Sequence, residues 1–313
     1  VTTGEHEVPT EHRAVGRRTA LTLGLAAGAG LLASAGSVAA VVQAEVVPGR
    51  ARMWDTLDAY VPDLSPERAR GPVEWLTWRS EFRPGIDTRA LVMTPPGTDL
   101  AAPAGLPVCL VLHGRGARAH DAFLMRLPGF LADAVADGVP PFALVAVDGG
   151  STYWHPRTDG SDTMRLLIED VLPRLGARGY GTDPARRTAV LGWSMGGYGA
   201  LLMAQTLPPT RLAAAVASSP SLWTRYREVP PGIFDSEPDY DRHDVFRGRS
   251  RMRGVAVRVD CALGDQYLPA VRAFVAGSDP RPAGGFWPGR HNRRFWRRMA
   301  PAQLRFVGTA LAG

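Results

Sequence analysis

From Val108 onward the chain alternates short, mainly apolar runs with longer segments of helical periodicity, and this alternation most narrows the fold. The runs Val108–Leu112, Phe142–Val147, Thr188–Leu191, Ala213–Ala217 and Val255–Cys261 are short and mainly apolar, with Arg258 and Asp260 the charged exceptions in the last. Such runs read as strands covered on both sides. Between and after them lie helix candidates at Asp121–Asp137, Thr163–Arg178, Gly197–Leu207, Tyr267–Gly277 and Phe295–Leu311. Strands separated by helices imply a mainly parallel central sheet with helices on both faces and right-handed crossovers. Two earlier strands, Val73–Phe82 and Thr88–Thr94, are joined by Arg83-Pro84-Gly85 and read as an antiparallel hairpin. Residues 223–253 interrupt the rhythm with prolines and mixed charge, and read as an insertion forming a lid or a pocket wall.

The N-terminal part follows different rules. Arg17-Arg18 precedes a charge-free run from Thr19 to Ala44 rich in Ala, Gly, Leu and Val. A basic segment before an apolar one marks an export signal, and the paired arginines suggest the twin-arginine route. Ala33-Ser34-Ala35 and Val38-Ala39-Ala40 offer cleavage points, while an uncleaved membrane anchor is the rival reading of residues 19–44. Residues 45–72 read as a lead-in linker, with one short helix around Met53–Tyr60, and residues 73–313 as the catalytic domain.

The 313 residues carry 36 basic and 30 acidic groups, and every basic residue is an arginine. Scattered among acids, these arginines reflect coding bias and not a nucleic-acid surface, which would cluster charge around aromatic platforms. Cys109 and Cys261 lie in strand-like runs and read as buried free thiols. No metal-ligand spacing and no nucleotide loop is present, so neither metal nor cofactor is expected.

The strongest chemical signal is Gly192-Trp193-Ser194-Met195-Gly196-Gly197, set between a strand and a helix. A serine on so sharp a turn needs small neighbours, and the glycines two before and two after supply them. The turn lifts the hydroxyl above the sheet and aims a helix N-terminus at it, where oxyanion charge is favoured. A hydroxyl at neutral pH needs a base oriented by an acid, and the expected chain order is Ser, Asp or Glu, His. His291, in the polar turn before the last helix, suits the base better than His243, which reads as solvated surface. Asp265 stands just past the strand ending at Cys261 and suits the acid; Asp260 reads as structural, and Asp241 and Asp244 are weaker rivals. The oxyanion donors expected are the amides of Met195 and, in the loop Leu112-His113-Gly114-Arg115-Gly116, of Arg115. His113 reads as an organiser of that loop.

With these pieces in place the chain resembles the α/β-hydrolase superfamily, in the branch of esterases akin to esterase D and the mycobacterial mycolyltransferases. The resemblance is carried by Leu112–Gly116, Asp148–Trp154, Asp183–Arg187, Gly192–Gly199, and Gly289–His291 through Phe295-Trp296. It covers roughly Val73 to Gly313 and implies an α/β-hydrolase fold with Ser194 as nucleophile, His291 as base and Asp265 as acid. Arg115 departs from the pattern, since many relatives carry an apolar residue there. The implied reaction is hydrolysis of a small-molecule, glycolipid or carbohydrate ester through an acyl-enzyme. Transfer of the acyl group to a sugar hydroxyl is the alternative, and a non-catalytic envelope-binding protein on the same fold a third reading. Tyr153, Trp154, Trp223, Phe286 and Trp287 sit in loops near the expected sheet top as pocket candidates. Arg293, Arg294, Arg297 and Arg298 on the last helix form a face that is either solvated or turned toward anionic membrane or envelope groups.

Overall fold

The computed structural model describes residues 53–54, 56–58, 62–181 and 187–313. The export or anchor segment, most of 45–61, and Asp183–Arg186 lie outside the described residues. Among the described residues no helix is long and apolar enough to cross a membrane.

The apolar runs form strands as expected. The sheet contains β1 (Val73–Arg79), β2 (Asp87–Met93), β3 (Val108–Leu112), β4 (Ala143–Val147), β5 (Thr188–Trp193), β6 (Leu212–Ser218), β7 (Ala256–Ala262) and β8 (Ala283–Trp287). Their order is β1-β2-β4-β3-β5-β6-β7-β8. β2 pairs antiparallel with β1 and β4, and every pairing from β4 to β8 is parallel. Alternate residues of each central strand feed opposite cores. Leu110, Val145 and Val190 join one cluster; Cys109, Val111, Leu144 and Leu191 join the other. Cys109 and Cys261 are buried free thiols in different clusters.

β8 was not expected. Its sequence, Ala-Gly-Gly-Phe-Trp, lacks the apolar run of a central strand, and an edge position tolerates that. Phe286 and Trp287, expected in a loop, therefore lie on this strand.

Prolines explain where the expected helices change. Asp121–Asp137 divides into α1 (Asp121–Leu124) and α2 (Leu127–Ala136), with Arg126 left-handed at φ 58° between them and Pro128 in the first turn of α2. Pro128 suits a helix start but not an interior. Thr163–Arg178 forms α3 (Thr163–Arg165), a π-helical segment (Leu166–Val171) and α4 (Leu172–Ala177). Pro173 lies in the first turn of α4, and the Leu172 amide before it closes the last π turn on the Leu167 carbonyl. The other helices are α5 (Met195–Thr206), α6 (Glu237–Arg242), α7 (Leu268–Ala276) and α8 (Arg293–Ala312).

The insertion 223–253, which includes α6, is built into the fold. Ile233, Phe234, Tyr240 and Val245 are buried in the main core, and Tyr198 Oη and Gln205 Nε2 donate to the carbonyls of His243 and Val245 at 2.8 and 2.7 Å. This part of the chain is a wall packed on α5. The described part of the lead-in is equally engaged: the Glu67 and Arg68 amides donate to Asp133, and Asn292 Nδ2 donates to Asp58 at 2.8 Å. The arginines of α8 are partnered rather than free. Arg294 donates to the Asp58 carbonyl, Arg297 pairs with Asp63 at 3.0 Å, Arg293 lies 3.6 Å from Asp121, and Arg298 donates to the Pro288 carbonyl.

A buried carboxylate joins β7, β8 and α8. Asp260, fully buried, accepts from Arg258 at 2.7 and 3.0 Å, from Trp287 Nε1 at 3.0 Å and from Gln303 Nε2 at 2.9 Å. This is the structural role expected of Asp260. Asp260→Ala strands a mostly buried guanidinium and should cost about 3–5 kcal/mol. Denaturant unfolding checks this value, with Asp279→Ala, which loses only an exposed pair, as the control.

Candidate active site

Ser194 sits at the sharp turn between β5 and α5 with φ 57° and ψ −120°. A non-glycine residue in this region costs roughly 1–3 kcal/mol, offset by the surrounding bonds. The Ser194 amide donates to the Ser218 carbonyl at 3.0 Å, and its carbonyl accepts from the amides of Tyr198 and Ser221, each at 3.1 Å. The flanking glycines are required by space. A Cβ on Gly192 would overlap the Gly196 carbonyl, and one on Gly196 would overlap the carbonyls of Leu112 and His113.

The Ser194 hydroxyl lies 2.8 Å from His291 Nε2, and His291 Nδ1 lies 2.8 Å from Asp265 Oδ2. Asp265 is fully buried, and its Oδ1 accepts the Tyr267 amide at 2.9 Å. His291 stands between Tyr267 and Trp296, each edge-to-face at 5.2 Å, which restricts ring rotation. Asn292 caps α8 by accepting the Phe295 amide at 3.0 Å, so the turn before the helix is held next to His291. The structure thus brings Ser194, His291 and Asp265 together. Asp260 belongs to the clamp described above. His243 is mostly buried, stacked on His155 at 4.7 Å and donating through Nδ1 to the Asp239 carbonyl at 2.9 Å, which corrects its reading as solvated surface.

The loop after β3 lies against Ser194. Gly114, Arg115, Gly116 and Ala117 form a tight turn in which the Ala117 amide donates to Gly114 at 3.1 Å and Gly116 takes φ 74°. His113 organises it. The buried ring donates from Nδ1 to the Gly114 carbonyl at 2.8 Å and accepts the Gly149 amide on Nε2 at 3.0 Å. That pattern requires neutral imidazole, and burial pushes the His113 pKa below its ordinary value. Met195 is buried at the first position of α5, where backbone amides have no intrahelical acceptor. Ser194, His291 and Arg115 open onto a cleft of about 320 Å³ also lined by Gly114, Trp193 and Trp296. A neighbouring groove of about 490 Å³ shares Gly116 and Ala117 with it and carries Arg83, Arg89 and Arg118.

The aromatic candidates separate. Trp154 is wholly buried, its ring pressed on Gly149 and Gly199 and edge-to-face with His113 at 5.2 Å. It supports the loops and offers no surface to a ligand. Tyr153 is also buried and meets half-buried Trp223 at 5.8 Å, which in turn meets Tyr267 at 5.4 Å. Two residues near Ser194 escaped the sequence reading. Tyr267 flanks His291, and Ser221 places its hydroxyl 3.1 Å from the Ser194 hydroxyl. The run Ser218-Ser219-Pro220-Ser221 at the end of β6 was the available signal for the second.

Among the described residues one group, His155, Asp239 and His243, has the donor types and proximity of a metal site. His155 Nδ1 lies 2.9 Å from the Pro156 carbonyl and Nε2 3.2 Å from the Ile233 carbonyl, and because burial lowers the His155 pKa the neutral ring donates to one of the two. The group ties α6 to the segment after β4.

Gly196→Ala forces the turn apart and should abolish covalent labelling of Ser194 in protein that still folds, read by mass spectrometry beside circular dichroism. Because the folded pKa of His113 is lowered, its contribution to stability is complete above the ordinary histidine value of about 6.5 and is lost as pH falls below it. His113→Leu should cost about 1–3 kcal/mol at neutral pH and flatten this acid loss. Melting temperatures across that pH range check both effects.

The sequence profile of the family described as "Putative esterase" matches residues 83–269, more than half of the chain. No curated protein sequence matches. Among solved structures, a ferulic acid esterase is 18% identical with a TM-score of 0.63, covering 77% of this chain and 100% of its own. An S-formylglutathione hydrolase from Staphylococcus aureus is 14% identical with a TM-score of 0.61, covering 76% and 98%. The enterobactin esterase from Shigella flexneri is 18% identical with a TM-score of 0.58, covering 77% and 60%. These likenesses establish the architecture, and the profile match establishes the lineage. The chain belongs to this esterase family and has the α/β-hydrolase fold.

Proposed function

We propose that the chain hydrolyses carboxylic esters through an acyl-enzyme formed on Ser194, with His291 as general base and Asp265 as its orienting acid. The observation that carries this reading is the unbroken chain of 2.8 Å contacts from Ser194 Oγ through His291 to buried Asp265, at the edge of an open cleft. Ser194 Oγ attacks the ester carbonyl while its proton passes to His291 Nε2. Asp265 holds Nδ1–H and stabilises the imidazolium. The amides of Met195 and Arg115 receive the oxyanion, one from the helix N-terminus and one from the turn that His113 braces. Collapse expels the alcohol, which takes the proton from His291. Water then repeats the sequence on the acyl-enzyme and releases the acid.

The substrate proposed is a small ester, with Trp223 and Tyr267 supplying an aromatic wall on the side of the insertion. Export is part of the proposal and rests on Arg17-Arg18 before the charge-free run to Ala44.

A fluorophosphonate probe should label the full chain once, at Ser194, and Ser194→Ala and His291→Ala should lose the label. Ser194→Ala should lower kcat on a p-nitrophenyl ester by roughly 10⁴-fold or more while leaving the melting temperature near that of wild type. Wild-type turnover by Ser194→Ala would remove the assignment.

A further inference from the structure

The Ser194 hydroxyl has a second neighbour besides His291, and the direction of that contact follows from counting protons. Asp265 accepts from His291 Nδ1 at 2.8 Å, so neutral His291 carries its proton there and presents a bare Nε2. Nε2 accepts the Ser194 proton at 2.8 Å. A hydroxyl has one proton, and that of Ser194 is committed. The 3.1 Å contact between Ser194 Oγ and Ser221 Oγ is therefore donated by Ser221. Ser221 is buried, and its backbone amide donates to the Ser194 carbonyl, so the side chain is held in place. The buried Tyr153 side chain lies beside Ser221. Tyr153 occupies the left-handed region at φ 56°, a conformation costly for a tyrosine.

We propose that Ser221 is a further catalytic residue, a hydrogen-bond donor to the nucleophile oxygen that acts mainly in deacylation, with Tyr153 positioning it. The proposal rests on the acyl-enzyme reading given above. In acylation, the Ser194 oxygen gives an electron pair to the carbonyl carbon, and a donor on that oxygen brings no gain. In deacylation the demand reverses. Water forms a bond to the acyl carbon as its proton passes to His291 Nε2. The carbon–Oγ bond then breaks, its electron pair moves onto Ser194 Oγ, and Oγ takes the proton from His291. The acid leaves and the free serine returns. Negative charge builds on Oγ as that bond breaks, and a donor already in place stabilises it.

The test is pre-steady-state hydrolysis of p-nitrophenyl acetate and butyrate by the full chain, comparing wild type with Ser221→Ala, Ser221→Thr and Tyr153→Phe. Ser221→Ala should deacylate about tenfold more slowly, the rate equivalent of one lost hydrogen bond. Its acylation rate should hold within about twofold, so kcat falls while kcat/KM stays level and a nitrophenol burst appears or grows. Ser221→Thr keeps the hydroxyl and should restore deacylation; Tyr153→Phe should give the same change as Ser221→Ala, smaller in size. Equal loss in both steps, or an unchanged deacylation rate in Ser221→Ala, overturns the proposal. Should Ser221→Ala not fold, judged by circular dichroism, the Tyr153→Phe and Ser221→Thr pair decides it by the same ratio. Failure of the underlying reading looks different: wild type would show no covalent label at Ser194, whatever the variants do.

Discussion

The site depends on the pairing of β7 with β8 and its continuation into the loops beyond. The Leu263 amide donates to the Trp287 carbonyl at 2.8 Å and the Gly264 amide to the Gly289 carbonyl at 2.9 Å. These two bonds extend the parallel ladder past the last strand residues. They fix the loop carrying Asp265 beside the loop carrying His291, and the 2.8 Å contact between the two side chains follows. Gly289 takes φ 135°, which suits glycine, and a side chain there would meet Phe295 and Arg298. The Asp260 clamp holds the same edge from below, since Trp287 and Gln303 reach it from β8 and α8.

A second constraint acts at the centre of the sheet. Parallel strands put their carboxyl ends on one side, so the turns after β3, β5 and β6 emerge together. His113 and Arg115 follow β3, Ser194 follows β5, and Ser218 to Ser221 follow β6. The turns are bound directly to one another. Ser194 donates its amide to Ser218 and receives that of Ser221, while Gly196 packs under the carbonyl of Leu112. Strain at Ser194, Tyr153 and Trp154, all with positive φ, is concentrated around this junction. Buried aromatic packing of Trp154 and Tyr153 offsets it.

Much of the fold was legible in the sequence because its central strands are buried on both faces. Val108–Leu112 matches β3 to the residue, and the six remaining runs differ from their strands only at the ends. Where local pattern and tertiary context conflict, the reading failed. β8 is an edge strand made of Ala283, Gly284 and Gly285 before its aromatics, and only the register with β7 makes it a strand. The split of the helix at Arg126 was visible in Pro128, whose cost in a helix interior exceeds the gain from continuing the apolar stripe. His243 seemed solvated because its sequence neighbours are charged; the stacked His155, distant in sequence, buries it.

For the site, the strand–turn–helix setting of Gly192–Gly197 picked out Ser194, because a turn that sharp excludes side chains two residues away on either side. Chain order and strand ends then picked out Asp265 and His291. These are local properties, written in residue size and spacing. The sequence alone could not say which aromatic rings face a ligand, that Trp154 is wholly buried while Trp223 is not, or that the arginines of α8 are spent on Asp58, Asp63, Asp121 and Pro288. Nor could it place the Ser221 hydroxyl beside the Ser194 hydroxyl across 27 residues. Such contacts join segments far apart in the chain, and only the closing of the sheet and the packing of the insertion bring them within reach.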